Sequence, residues 1–286
     1  MYASPFFRKG KGVCRHPGIS IRKGNPLGWA SEGFAGAGQH RLAFVEAGPK
    51  SNRPSIVFVH GAGGDRRGWL LLLREISNRG LHGIALDLPG HGQSPGPGCR
   101  SISDYARIAG AFIQETGLIS PVLAGHSMGG AVALTCGLEF PEKLGGLILV
   151  ATGSRLRVKE SILAGVRLDF ESTAADIVRI AYSPKASPGL AEEGRRQLLE
   201  CGPEVLHGDL SACDAFSEME RIEGISLPSL IVCGEEDLMT PPKYSRYLAE
   251  KIPTADLRLI PEAGHMVMAE KPRQVGETIH GFIQAP

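Results

Sequence analysis

Short apolar runs alternate along the chain with longer stretches in which apolar residues recur every three or four positions. That alternation predicts a mainly parallel sheet covered on both faces by helices. The runs at 55–59, 83–86, 121–124, 146–150, 230–233 and 257–260 are nearly unbroken, as strands buried on both sides require, and 41–47 supplies a strand ahead of them. Helical spacing marks 69–79, 102–116, 129–140, 242–251 and 273–283. No internal repeat is present.

The pattern changes after the strand that ends at Val150. From 153 to 214 the chain is polar and helix-rich, with helical stretches at 161–168, 174–181 and 192–200 punctuated by Pro184, Pro188 and Pro203. The expectation is an α/β fold whose core is built from 38–152 and 215–286, with 153–214 inserted as a helical cap after the sixth strand. The first residues read differently. Arg8, Lys9, Lys11, Arg15, Arg22 and Lys23 all precede the first acid, Glu32, and glycines and prolines spoil any amphipathic helix. A disordered basic arm is therefore expected over 1–37, with the folded body starting near Gly38.

Candidate chemistry sits at the ends of the apolar runs. Ser127 lies in Gly125-His126-Ser127-Met128-Gly129-Gly130, between a strand and an apolar helical stretch. A strand-to-helix turn that tight leaves no room for side chains two positions before and after the serine, and Gly125 and Gly129 meet that demand. The hydroxyl is pushed out of the sheet edge, beside the free backbone N–H of Met128 at the positive end of the helix. A serine hydroxyl needs a base, and the base needs a third group to hold its tautomer. His265 follows the last strand, and Glu235, Glu236 and Asp237 follow the strand before it. The order serine, acid, histidine is that of one particular hydrolase architecture.

With His60-Gly61-Ala62-Gly63-Gly64, Asp87-Leu88-Pro89-Gly90-His91-Gly92-Gln93-Ser94, the Ser127 turn, Gly234 to Asp237 and Ala263-Gly264-His265 in that order, the chain resembles a serine esterase of the α/β-hydrolase fold. The likeness extends to small capped esterases such as the pimeloyl-carrier-protein methyl ester esterases. It implies Ser127 as nucleophile, His265 as general base and acid, and backbone N–H groups of Ala62 and Met128 as the oxyanion hole. It also favours Asp237 over Glu235 and Glu236, because it places the acid three residues after the strand-ending glycine. Related dehalogenases and epoxide hydrolases carry a carboxylate where this chain has Ser127, which disfavours both activities. The implied reaction is cleavage of carboxylic esters of small or medium acyl groups through an acyl-enzyme. Alternatives on the same fold are a carbon–carbon bond hydrolase of ring-cleavage products and a non-catalytic small-molecule receptor.

Arg155 and Arg157 follow the strand before the cap and are candidates to face the cleft and contact substrate, although a salt-bridged surface is the ordinary fate of such residues. His60, His91 and Asp87 are expected to fix loops, and His126 to point away from the site. No metal-ligand spacing is present, so neither metal nor cofactor is expected. A formal net charge of +1 over 286 residues argues against a nucleic-acid partner. No run approaches the ~18 apolar residues of a membrane span. Six scattered cysteines without a C-x-x-C pair fit free thiols in a reducing cytoplasm. The expected partner is a small-molecule ester, and the sequence does not set an oligomeric state.

Overall fold

The computed structural model describes the backbone of Ser20–Ile21 and all of residues 28–284. Among the described residues, nine strands form one sheet: β1 (Ser20–Ile21), β2 (Ser31–Ala37), β3 (His40–Ala47), β4 (Ile56–Val59), β5 (Gly83–Leu86), β6 (Val122–His126), β7 (Gly146–Val150), β8 (Ser229–Gly234) and β9 (Ala255–Ile260). Their order is β1-β2-β3-β5-β4-β6-β7-β8-β9. The first three are antiparallel and the rest run parallel from β5 onward.

Alternate residues of each parallel strand enter different cores, which is why the runs read as continuously apolar. Val57, Val59, Leu123, Leu147, Leu149 and Ile231 pack on one face with α2 (Ile102–Glu115), α3 (Met128–Glu139) and α8 (Pro242–Lys251). Ile56, Phe58, Val122, Ala124, Ile148, Val150, Leu230 and Val232 pack on the other with α1 (Leu70–Asn78) and α10 (Pro272–Gln284). All of these strand side chains are essentially inaccessible, so each one larger than Ala124 contributes roughly 1.5–3 kcal/mol of burial. The sheet is thereby held rigid from both sides, and its C-terminal edge becomes a fixed platform.

Two expectations need correction. Ser31–Ala37 is a strand paired along its length with β3, so the folded body begins before Gly38. It escaped notice because its buried positions, Gly33, Ala35 and Ala37, are small residues with little apolar signal. The rest of the expected basic arm lies outside the described residues, apart from Ser20–Ile21 and 28–30. With β1 and β2 counted, the strand preceding the insertion is the seventh.

Between β7 and β8 stand four helices, α4 (Glu160–Leu168), α5 (Phe170–Ala181), α6 (Pro188–Cys201) and α7 (Pro203–Ala215). The last was read only as a proline break. Pro203 instead occupies the first turn of α7, where its missing N–H costs nothing, and Gly202 caps the helix at φ 85°. Val166, Ile177, Leu206 and Leu210 make a third apolar cluster, against which Ala62 of the core packs. A short helix, α9 (Val267–Glu270), follows His265. Among the described residues, no helix is long and apolar enough to cross a membrane.

Candidate active site

Ser127 follows β6 directly and α3 starts at the next residue, so the chain reverses within one position. Its backbone sits at φ 52° and ψ −114°, a region that costs a side-chain-bearing residue about 1–3 kcal/mol. The surroundings hold it there. Ser127 N–H donates to Val150 O at 3.0 Å, and the Ser127 carbonyl accepts from Thr152 Oγ1 at 2.8 Å and Gly130 N–H at 2.9 Å. A Cβ on Gly125 would run into the Gly129 backbone, and one on Gly129 into Val59 O. The glycines are therefore steric requirements of the turn.

The loops after β8 and β9 bring the other two candidates to the same edge. His265 Nδ1–H donates to Asp237 Oδ2 at 2.9 Å, and both side chains are almost wholly buried. Asp237 also accepts from Thr240 Oγ1 at 2.8 Å and from the N–H groups of Met239 and Thr240 at 2.8 and 2.9 Å. Burial alone raises this carboxyl, but the facing His265 and the donated hydrogen bonds override it and hold it at about 2. Of the rival acids, Glu235 is exposed, while Glu236 accepts from Ser183 Oγ at 2.5 Å.

Further residues hold the histidine loop, and sequence reasoning missed them. His265 N–H and Met266 N–H both donate to Ala181 O at the end of α5, at 2.8 and 3.2 Å. Glu270 accepts from Gly264 N–H and from Ser183 N–H, each at 3.0 Å. Thr240 carried a faint signal as the polar residue three positions past the acid. The Ala181 and Glu270 contacts carried none.

Ser127 and His265 line one cavity of about 150 Å³, together with Ala62, the Gly61–Gly64 backbone and apolar side chains of the insertion such as Leu156, Ile177, Leu206 and Leu210. Among the described residues, neither Ala62 N–H nor Met128 N–H is taken by a protein acceptor. Among the described residues, the side-chain hydrogen-bond partners of His265 are Asp237 and Thr240, and Ser127 Oγ is not one of them. Arg155 is half-buried, lines the cavity and has no ion pair among the described residues. Arg157 also lines it but is 56% exposed and tied to Asp214, whose carbonyl lies 3.2 Å away and whose carboxylate lies 3.6 Å away.

The remaining histidines divide cleanly. His60 Nδ1–H donates to Gly61 O at 2.8 Å while Nε2 accepts from Leu88 N–H at 3.0 Å, so it joins two loops. His126 corrects the expectation that it points away. It lines the cavity wall, its ring lies 4.6 Å from that of His265, and its Nε2–H donates to His265 O at 3.0 Å. Asp87 is structural, as expected: it pairs with the Arg66 guanidinium and accepts from the N–H groups of Arg66 and Gln93 at 2.7 and 2.8 Å.

Comparison with known proteins agrees with this architecture. The chain is 31% identical over 268 residues to the dihydrolipoyllysine-residue acetyltransferase component of the acetoin cleaving system of Pseudomonas putida, covering 87% of this chain and 68% of that protein. It is 27% identical over 270 residues to the putative 2-succinyl-6-hydroxy-2,4-cyclohexadiene-1-carboxylate synthase of Bacillus subtilis (strain 168), covering 85% and 94%. A thermophilic esterase of solved structure matches with a TM-score of 0.79 at 33% identity, over 89% of this chain and 98% of that one. The family profile matches residues 56–278, which contain every candidate residue, and the chain belongs to the alpha/beta hydrolase family.

Proposed function

We propose that the protein is a serine hydrolase that cleaves carboxylic esters of small or medium acyl groups. The reading is carried by one observation: the strained Ser127, the Asp237-bound His265 and Ala62 line a single cavity, and among the described residues the N–H groups of Ala62 and of Met128, the residue after Ser127, are taken by no protein acceptor. Asp237 holds the Nδ1–H tautomer of His265, which leaves Nε2 as the base. His265 takes the Ser127 proton as Oγ attacks the ester carbonyl, and Ala62 and Met128 hold the tetrahedral oxyanion. Collapse expels the alcohol with a proton from His265, and water activated by the same imidazole then releases the acid.

The insertion serves as a cap that dries the site and shapes the acyl pocket. A cavity of about 150 Å³ with aliphatic walls fits a short or medium acyl chain. Arg155, half-buried and without a carboxylate partner among the described residues, supplies a polar contact to the substrate, and Arg157 stands at the exposed rim. The described cysteines are all free, which supports a reducing compartment such as the cytoplasm.

The test is turnover of p-nitrophenyl esters of graded acyl length, with fluorophosphonate labelling mapped by mass spectrometry. Ser127→Ala is expected to lower turnover at least about 1,000-fold with the fold intact. Near-normal activity in that variant overturns the assignment. So does a wild type that prefers a coloured ring-cleavage diketone, or one that resists labelling while binding an unreactive ligand tightly.

A further inference from the structure

Asp209 is wholly inaccessible, yet it lies on α7 between Leu206 and Leu210, whose side chains form the apolar cluster of the insertion. Three donors from the core converge on its carboxylate. Oδ2 accepts from Gly63 N–H at 2.9 Å and from His91 Nε2–H at 2.8 Å, and Oδ1 accepts from Tyr105 O–H at 2.6 Å. The other His91 nitrogen faces Pro89 O at 3.0 Å, so both ring nitrogens donate and the ring is an imidazolium. Burial works against that charge, and the facing Asp209 overrides it and raises the His91 pKa well above its ordinary value.

Taking a carboxylate and an imidazolium out of water costs several kcal/mol per ion before their attraction is counted, and an apolar residue at 209 would pack with its leucine neighbours. Stability alone is therefore a poor reason for the arrangement. What the carboxylate grips is more informative. Gly61 to Gly64 form a turn closed by Gly64 N–H to Gly61 O at 3.1 Å. Gly63, its third residue, has φ 65°, the positive value that a type II turn demands there. Such turns relax by flipping the central peptide, which in this turn joins Ala62 to Gly63. A flip would swing the Ala62 carbonyl toward Asp209, and a buried carboxylate repels it.

Resting on the proposed ester hydrolysis, we propose that Asp209 is a positioning residue for that reaction: by holding the Ala62–Gly63 peptide from the insertion side it fixes the whole Gly61–Gly64 turn, and with it the adjoining Gly61–Ala62 peptide that presents Ala62 N–H to the oxyanion. The insertion and the oxyanion turn are then one unit. Leu206 and Leu198 approach so closely that any Cβ on Gly63 would fall within 2.8 Å of them.

The test compares wild type, Asp209→Ala and Asp209→Asn with p-nitrophenyl butyrate and with a trifluoromethyl ketone, which forms a tetrahedral adduct on the serine. Asp209→Ala is expected to lower kcat about 10- to 100-fold with KM within about threefold, because an oxyanion donor is worth on the order of 100-fold when lost outright. Affinity for the ketone should fall by the same factor. Asparagine keeps one acceptor for Gly63 N–H, so Asp209→Asn is expected to melt lower but retain kcat within about threefold. A folded alanine variant with unchanged kcat, or with its loss confined to KM, overturns the proposal. Should the alanine variant fail to fold, Asp209→Asn decides: a tenfold or larger loss of kcat shows that charge rather than the acceptor matters, and overturns it. A wild type without ester turnover overturns the underlying reading and this one together, whereas an active wild type with indifferent variants overturns this one alone.

Discussion

Acid should weaken this protein before its ordinary carboxylates titrate, because two neutral histidines are locked beside the cavity. Burial, assisted by the facing His265, pushes His126 down to about 3, and burial, assisted by His91, pushes His60 down to about 4, both from 6.5. Each imidazole binds a proton in the unfolded chain below pH 6.5 and none in the folded protein until the lowered value is reached. The unfolded state then holds more protons, so the stabilising contribution is complete above pH 6.5 and is lost as the pH falls toward 4 and then 3. Two such groups cost about 3 kcal/mol between pH 6.5 and pH 5, out of a typical 5–15 kcal/mol.

His91 has the opposite sign. Its raised value means that the folded protein keeps a proton which the unfolded chain sheds above 6.5, so stability falls with rising pH by roughly 1 kcal/mol per unit. The combination predicts a stability maximum near pH 6.5, lower on both sides and steeper on the acid side. Urea unfolding followed by tryptophan fluorescence at half-unit steps from pH 5 to pH 8 measures it. His126→Gln should remove about half of the acid slope. A flat profile between pH 6.5 and pH 5, or a maximum above pH 8, would refute the reasoning.

Other substitutions test other parts of the site. Asp237→Asn should lower kcat by about 10⁴-fold with little change in KM, since the amide no longer holds the Nδ1–H tautomer; stopped-flow ester kinetics check it. Gly125→Ala forces a Cβ into the Gly129 backbone and is expected to cost about 3 kcal/mol or more, read as a lower melting temperature with lost activity. Leu206→Ala removes a wall of the cavity, costs about 2–5 kcal/mol and should shift the preferred acyl chain to greater length. An unchanged length profile in the folded variant would show that the acyl group lies elsewhere.

What the sequence made legible is what depends on near neighbours. The turn at Ser127 is dictated by residues two positions away, so Gly125 and Gly129 announce it, and the strands announce themselves because both faces are buried. Asp237 was harder, since Glu235 and Glu236 carry the same group and only the loop geometry separates them. Strand β2 was missed because glycine and alanine bury well but look neutral, and α7 because Pro203 marks a helix start as readily as a break. His126 was misplaced because alternation along a strand sends its side chain to the opposite face, whereas the chain turns sharply after it and its ring ends up beneath His265. Asp209 meets Gly63 across 146 positions, and no local pattern signals such a contact.

The insertion holds both halves of the site at once. Through Asp209 it grips the Gly61–Gly64 turn, and through Ala181 O and Ser183 it grips the backbone of His265 and the side chains of Glu236 and Glu270. Lifting it as a rigid lid would carry Asp209 away and leave the His91 imidazolium without its counter-charge, a loss on the order of 3–5 kcal/mol, and would free the histidine loop at the same moment. A substrate that had to open such a lid would meet a dismantled site. Entry at the rim costs less by this reckoning, because clearing the exposed Arg157 and the half-buried Arg155 and Met239 requires only side-chain rotation. Variants that shorten Arg157 should therefore change KM for bulky esters while leaving kcat for p-nitrophenyl acetate in place, and a parallel fall in both would mean that the whole insertion moves.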